Sequence, residues 1–240
     1  MTLNKLIKKY FEQGNVCVTG LRGTGKDMLF GNVIVRRKKP YISNLYYGGE
    51  HIPLDFEVMK LGGNTYDTMI NNPLFYKWPY EYGTDIYISD VGVYFPAQYC
   101  NELNKKYQGV PYFMALSRQV AHDTNVHINV QNLNRAWDKL RESSDLYITT
   151  NWCKVFFGKI VVQKITVYSK YQSCVDRVPP CCVKMPLLNK DRQQTAQLFI
   201  EKYRINYGDV TPFILVYINK SEHDTYYFEK LLNGGKKNEK

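Results

Sequence analysis

A glycine-rich segment near the amino terminus constrains the fold of this chain more than any other feature. Its residues are Gly20, Leu21, Arg22, Gly23, Thr24, Gly25 and Lys26. They match G-x-x-x-x-G-K-[ST] except at the last position, where Asp27 replaces the hydroxyl residue. The preceding residues 15–19 suit a short buried strand, and residues 28–35 suit a helix. A strand, a loop and a helix in this order aim backbone N–H groups and a helix N-terminus at an anion.

The lysine of this segment indicates which anion the loop would bind. In the predicted unit, Lys26 lies where its ammonium reaches the outer phosphates of a nucleoside triphosphate. The alternative is an ordinary strand-to-helix turn in which the glycines supply positive φ angles. Because that alternative does not account for a lysine at this position, we predict that residues Gly20 to Asp27 bind the phosphates of ATP.

Length and charge limit the fold class and the kinds of partner that this chain can have. With 240 residues, 44% of them hydrophobic and 22% charged, the chain is long enough for one large α/β domain. We expect a core at residues 1–170, including an N-terminal helix, and a C-terminal extension at residues 171–240, within the same domain or beside it. The net charge of +10 favours a polyanionic partner, such as nucleic acid, nucleotide or an anionic membrane. A basic surface kept for solubility explains the charge equally well.

The chain shows no sequence signature of a membrane span or of a disulfide framework. No stretch reaches the roughly 18 apolar residues needed to cross a bilayer, so we expect a cytoplasmic protein. Residues 3–11 have the apolar spacing of a helix that packs on the core. Lys5, Lys8 and Lys9 leave open a peripheral position on a membrane. The six cysteines include no C-x-x-C pair, which favours free thiols over a metal site.

Strands and helices alternate from residue 15 to residue 150. The predicted strands are 15–19, 41–47, 85–90, 125–131 and 145–150, and the predicted helices are 28–35, 97–107, 111–121 and 134–142. Further along, residues 155–157 and 160–168 are predicted to be antiparallel strands, 211–218 a last strand, 193–203 and 225–232 helices, and 48–84 a loop-rich connection. This pattern predicts the α/β fold of a P-loop NTPase, with a mostly parallel sheet flanked by helices and an antiparallel C-terminal extension.

Two polar residues end predicted strands at the edge of the sheet where a ligand would bind. Asp90 ends the third strand, and an aspartate at this place in phosphate-loop enzymes holds the metal ion. A turn aspartate before Gly92 is the simpler alternative. Gln131 ends the fourth strand, where it would sense the γ-phosphate, orient the attacking water or merely cap the strand. His127 alternates with apolar neighbours and is interpreted as a packed residue.

Taken in order, several segments of the chain resemble a known family. They are Gly20 to Lys26, Ile42-Ser43-Asn44-Leu45, Ile88-Ser89-Asp90 followed by Phe95-Pro96, Leu116-Ser117-Arg118-Gln119, Asn129-Val130-Gln131-Asn132-Leu133, and the helix with Arg141. Over about residues 14–170 the chain resembles the zonular occludens toxin (Zot) family, which includes the assembly and export ATPase of filamentous phages. That family belongs to the FtsK/HerA-like group of DNA-translocating P-loop ATPases.

The resemblance implies a homo-oligomeric ATPase, often at the inner membrane, that uses ATP and Mg²⁺ to extrude or package single-stranded phage DNA. Phage or host membrane assembly proteins would be further partners. Carried over by position, Gly20 to Lys26 bind phosphates, Asp90 and Asp27 serve the metal ion, and Gln131 senses the γ-phosphate.

The resemblance also implies an arginine that reaches the nucleotide of a neighbouring subunit. Arg141 or Arg118 would take this role, although a solvated helix face is the preferred interpretation of each. Two departures weaken the prediction of hydrolysis more than that of binding. Asp27 adds negative charge beside the triphosphate, and Val91 stands where the family commonly has a glutamate that activates water. The membrane span that many phage homologues carry after the ATPase domain is also not found.

Three functions therefore stay open. The first is a motor that hydrolyses ATP on phage DNA during virion assembly. The second is a nucleotide-dependent interaction module that binds ATP as a switch without turnover. The third, a small-molecule kinase, fits less well because residues 170–190 do not resemble a lid with arginines.

Overall fold

A computed structural model describes most of the chain up to residue 175 and one short segment beyond it. The described residues are 1–54, 83–107, 109–111, 114–115, 124–156, 160–169, 171–175 and 214–218. The predicted helices 193–203 and 225–232, most of the predicted helix 111–121, most of the connection 48–84, and Arg118 lie outside the described residues.

The described strands form one mixed sheet. Their bounds are β1 Val16–Thr19, β2 Tyr41–Ser43, β3 His51–Pro53, β4 Asp85–Ile88, β5 Val126–Val130, β6 Leu146–Phe156, β7 Ile160–Tyr168 and β8 Ile214–Ile218. The sheet order is β3-β2-β4-β5-β1-β6-β7-β8. Strands β1 to β6 pair in parallel, whereas β7 pairs antiparallel with β6, and β8 antiparallel with β7.

Helices cover both faces of this sheet. They are α1 Leu3–Leu6, continued by a π-helical turn Ile7–Phe11, then α2 Lys26–Arg37, α3 Val91–Tyr94, α4 Cys100–Lys106, α5 Asp138–Glu142 and α6 Tyr171–Val175. Short 3₁₀ turns, Ala97–Tyr99 and Leu133–Arg135, precede α4 and α5. The predicted fold class, a mostly parallel sheet flanked by helices with an antiparallel extension, is confirmed.

Each face of the sheet has its own apolar core. On one face, Leu6 and Phe11 from the N-terminal helix and Phe30 from α2 pack with Val18 of β1. The opposite core contains the following residues of the strands and of the segments after β4 and β5: Ile86, Ile128, Phe95, Trp137 and Leu140. Full burial of each large apolar side chain contributes about 1.5–3 kcal/mol, so these two cores hold the helices on the sheet. The apolar spacing of residues 3–11 therefore reflects packing on the core.

The strand order determines where a ligand would bind. Strand β1 lies in the middle of the sheet between β5 and β6, and β4 lies on the far side of β5. Because these four strands are parallel, their carboxyl ends meet at one edge. The loop after β1 and the residues after β4 and β5 are therefore neighbours.

Several elements differ from the sequence prediction. The predicted helix 134–142 is broken at Ala136, which is extended, because Trp137 turns inward and donates its backbone N–H to Phe95 O at 2.8 Å. Strand β2 is shorter than predicted, since the Ser43 hydroxyl accepts the Leu45 N–H and turns the chain. The connection 48–84 contains β3, which was not predicted. The predicted strands 145–150 and 155–157 are one continuous strand, β6.

Within the described residues, we find no helix with the length and apolar character needed to span a membrane.

Candidate nucleotide phosphate site

The glycine-rich segment forms the turn between β1 and α2. Gly23 and Gly25 have φ angles of 79° and 86°, which a residue without Cβ adopts without strain. Helix α2 begins at Lys26 and is 12 residues long. Because the first N–H groups of a helix have no acceptor within it, the turn presents free donors at the carboxyl end of β1. This turn in a mostly parallel sheet makes the fold P-loop NTPase-like, as predicted.

Side chains of β6 and β7 hold the turn from behind. Thr150 Oγ1 lies 2.7 Å from Thr24 Oγ1 and donates to Thr19 O at 3.2 Å. Gln163 Nε2 donates to the carbonyl oxygens of Thr24 and Gly25, both at 2.9 Å. These bonds tie the loop to the neighbouring strands β6 and β7 and to the end of β1.

The Lys26 side chain folds into the turn. Its Nζ donates to Gly20 O at 3.0 Å and to Leu21 O at 3.3 Å, and the residue is 5% exposed. Burial lowers the pKa of Lys26, whereas the charges of Asp27 and Asp90 raise it. Because an ammonium bonds more strongly to charged oxygens than to neutral carbonyls, phosphate oxygens would compete well for this group.

Asp90 is the second residue after β4 and has a left-handed backbone, with φ 49°. This conformation costs a residue with a Cβ about 1–2 kcal/mol. No hydrogen bond from a described residue reaches its carboxylate. Burial and the negative charge of Asp27 raise the pKa of Asp90, and Lys26 lowers it. Backbone strain combined with a perturbed pKa is typical of a functional site.

Asp27 lies in the first turn of α2. Its Oδ1 accepts hydrogen bonds from Tyr47 Oη at 3.2 Å and from Asn129 Nδ2 at 2.8 Å. Its Oδ2 has no hydrogen-bond partner among the described residues. Asp27 is close enough for its charge to shift the pKa values of both Lys26 and Asp90. The structure therefore brings together three of the predicted site residues.

The two carboxylates fit a magnesium ion that arrives with a nucleotide. Asp27 Oδ2 and the Asp90 carboxylate offer the hard oxygen donors that Mg²⁺ prefers. Within the described ranges, no group of three or more His, Cys, Asp or Glu residues could hold a metal ion. A magnesium ion usually takes one or two carboxylates together with phosphate oxygens and water, so this pair suits an ion that has phosphate or water as its further ligands.

Two other predicted site residues form no hydrogen bond with this cluster within the described part of the chain. Gln131 follows β5 and is exposed, and no hydrogen bond between described residues joins it to the loop. Arg141 Nη1 donates to Leu133 O at 2.8 Å, and the guanidinium lies 5.2 Å from the centroid of the Tyr171 ring. Both contacts belong to the face of the sheet opposite α2. The nucleotide roles of Gln131 and Arg141 stay predictions.

The residues that hold the cluster in place were not predicted from the sequence. They are Tyr47, Ser89, Asn129, Thr150 and Gln163. One signal could have identified Asn129, because an amide within a buried strand needs polar partners that the strand itself does not supply. No comparable signal marks Tyr47, which lies in the segment between β2 and β3.

Comparisons with known proteins find similarity in structure. No family model and no curated protein matches the chain. The N-terminal domain of zonular occludens toxin from Neisseria meningitidis has a TM-score of 0.42 at 11% identity, over 90% of this chain and 97% of that one. The genome packaging NTPase B204 from Sulfolobus turreted icosahedral virus 2, in complex with ATP-gammaS, has a TM-score of 0.32 at 12% identity, over 57% and 75%. The Legionella pneumophila ATPase DotB has a TM-score of 0.37 at 10% identity, over 88% and 59%.

These TM-scores and identities carry no argument about function. Membership of the zonular occludens toxin family stays a prediction.

Proposed function

We propose that this protein binds ATP with Mg²⁺ at the turn between β1 and α2 and hydrolyses it, as a homo-oligomer, to drive DNA transport in virion assembly. The observation that carries the proposal is the position of Lys26. Its buried ammonium is held on the carbonyls of Gly20 and Leu21, with the carboxylates of Asp27 and Asp90 beside it. A triphosphate with a divalent cation complements both kinds of charge.

Two sets of groups would bind this ligand, one set its phosphates and the other its cation. The backbone N–H groups at the start of α2 face the phosphates, and Lys26 exchanges its bonds to Gly20 O and Leu21 O for bonds to phosphate oxygens. Asp27 and Asp90 face the cation. These two carboxylates would hold Mg²⁺, which would neutralise charge that develops during phosphoryl transfer.

A basic surface at the far end of α2 supports a nucleic-acid partner. Arg36 Nε donates to Asn4 Oδ1 at 2.7 Å, which joins the end of α2 to the N-terminal helix. The exposed cations thus gathered are Lys5, Lys8, Lys9, Arg36, Lys38 and Lys39. Such a cluster attracts DNA phosphates regardless of base sequence. The apolar residues of the N-terminal helix pack in the core, and between them lie Lys5, Lys8 and Lys9. The N-terminal helix therefore contributes charge rather than apolar area to this basic surface.

One observation favours the second function, a module that binds ATP without turnover. Val91, directly after Asp90, is 0% exposed and belongs to the core beneath α3. A water-activating carboxylate in its place would be buried among apolar residues, which is costly. Hydrolysis therefore requires a base from another position or from a neighbouring subunit.

ATP binding and hydrolysis by the full chain, with and without single-stranded DNA, test the proposal. We expect Lys26→Ala to weaken ATP binding by about ten- to a hundred-fold, because a hydrogen bond to a charged group is lost. Lys154→Ala is the matched control, since Lys154 is an exposed lysine of β6 that lies over the Trp152 ring.

The results separate the two functions. Turnover that DNA stimulates and Lys26→Ala abolishes supports the motor. ATP binding without turnover supports the switch. A wild-type chain that binds no ATP contradicts both.

A further inference from the structure

A single buried amide joins the carboxylate of Asp27 to the main chain of Asp90. Asn129 Nδ2 donates to Asp27 Oδ1 at 2.8 Å, and Asn129 Oδ1 accepts the backbone N–H of Asp90 at 2.8 Å. Asn129 lies in β5 and is 0% exposed. Its side chain therefore connects the first turn of α2 with the end of β4.

The chemistry of its neighbours fixes the orientation of this amide. A backbone N–H can only donate, so the atom that faces Asp90 N is the oxygen of Asn129. The amide nitrogen then faces the Asp27 carboxylate, which accepts, and the same Nδ2 also donates to Ser89 Oγ at 3.1 Å. The reversed amide would set a donor against a donor and an acceptor against an acceptor.

Tyr47 completes the network from the segment after β2. Its hydroxyl donates to Asp27 Oδ1 and is hydrogen-bonded to Ser89 Oγ. Asn44 in turn holds the main chain of Ser89, accepting its N–H at 2.8 Å and donating to its carbonyl at 3.0 Å. Because a buried polar network with satisfied groups is rigid, the Asp27 carboxylate has little freedom to turn.

We propose that Asn129, assisted by Tyr47, is the positioning residue of the metal site. The two side chains occupy Asp27 Oδ1, which leaves Oδ2 for the cation, and Asn129 fixes the Asp90 backbone at the same time. They thereby set the spacing of two carboxylates that would otherwise repel each other. The inference rests on the proposed function for the arrival of the metal with a nucleotide. It assigns to Asn129 a task that the sequence analysis did not assign to any residue of β5.

Binding of Mn²⁺ to the full chain, followed by electron paramagnetic resonance with and without ADP, tests this inference. We expect the dissociation constant for Mn²⁺ to rise about ten- to a hundred-fold in Asn129→Ala and about three-fold or more in Tyr47→Phe. Asn125→Ala is the matched control. Asn125 is a buried asparagine just before β5, and it donates to Asp85 at the start of β4, at the edge of the sheet away from the loop.

Stability and metal affinity are read separately in this experiment. Asn129→Ala and Asn125→Ala should both lower the free energy of unfolding, whereas only the first should weaken Mn²⁺ binding. Equal Mn²⁺ affinity in the wild type and in both site variants overturns the inference. If Asn129→Ala does not fold, Tyr47→Phe decides the matter, because it removes one hydroxyl and leaves the ring.

The remaining outcomes distinguish the inference from the proposed function. Mn²⁺ binding that both site variants weaken, in a chain that binds no nucleotide, keeps the inference and contradicts the proposed function. Nucleotide binding without any Mn²⁺ binding contradicts the inference and keeps the nucleotide binding of the proposed function. A wild-type chain that binds neither overturns both.

Discussion

Gly23 and Gly25 take similar backbone angles in the loop, but their surroundings differ. Apart from its two chain neighbours, no described residue has an atom within 4 Å of a Cβ built on Gly23. A Cβ on Gly25 would lie 3.1 Å from both Cys153 Cβ and Gln163 Nε2. At the scale of single residues, the first glycine is required by its backbone alone and the second also by close packing against β6 and β7.

Alanine substitutions should separate these two requirements. Gly23→Ala should lower the free energy of unfolding by about 1–2 kcal/mol through the left-handed backbone. Gly25→Ala should cost about 1–3 kcal/mol more, because the added methyl group overpacks the contact with Cys153 and Gln163. Urea unfolding measures both values. Equal losses in the two variants would contradict the packing argument.

At the scale of elements, the antiparallel strand β7 supports the loop although it lies two strands from β1. Its Gln163 reaches over β6 to two carbonyls at the start of α2, Thr24 O and Gly25 O. These two bonds satisfy both carbonyl oxygens and fix the peptide groups where the loop meets α2. Strand β7 thus belongs to the support of the loop.

Gln163→Leu should weaken MgATP binding about five- to ten-fold, because two carbonyls lose their donor while the buried volume is nearly kept. Titration with a fluorescent ATP analogue measures the change. Asn151→Ala removes an amide from the same hairpin, where Asn151 bonds Thr166 at 3.1 Å, and should leave ATP affinity unchanged. Unaltered affinity in Gln163→Leu would show that the loop keeps its shape without β7.

At the scale of the whole molecule, a buried ionic cluster lies at the end of the sheet remote from the loop. Arg37, near the end of α2, forms an ion pair with Asp85 at the start of β4. His127 is 0% exposed, between the rings of Phe11 and Tyr87, with Nε2 3.6 Å from Asp85 Oδ2. Burial, and to a lesser degree the charge of Arg37, lower the pKa of His127 well below 6.5.

Stability should therefore decline in mild acid. His127 stays neutral in the folded chain but takes up a proton near pH 6.5 once unfolded, so the unfolded state binds more protons below that pH. The free energy of unfolding should be unaffected by His127 above about pH 7 and fall by up to about 1.4 kcal/mol per pH unit below about 6.5.

Urea unfolding at about three pH values, from about 5.5 to about 7.5, measures this decline. His127→Phe keeps an aromatic ring against Phe11 and Tyr87. In this variant, the free energy of unfolding should not show the part of the decline that His127 causes. Parallel pH profiles of the wild type and the variant would contradict the assignment.

The sequence determined the local features of this protein. The glycines and Lys26 of the loop, the strand before them and the helix after them follow from steric limits and from periodicity between near neighbours. The alternation of elements indicated a parallel sheet, and the position of Asp90 at the end of a strand indicated the ligand edge. The break at Ala136 was not visible in the sequence, because helical spacing continues through it while Trp137 packs in the core.

Only the tertiary structure decided how the site is held. Asn129 bonds Asp27 across 102 residues of sequence, and Gln163 bonds Thr24 across 139. Such pairs depend on which strands become neighbours and on their register, and apolar periodicity specifies the buried face of a strand but not its neighbour. Local sterics determined the loop, and long-range strand pairing selected the side chains that orient it.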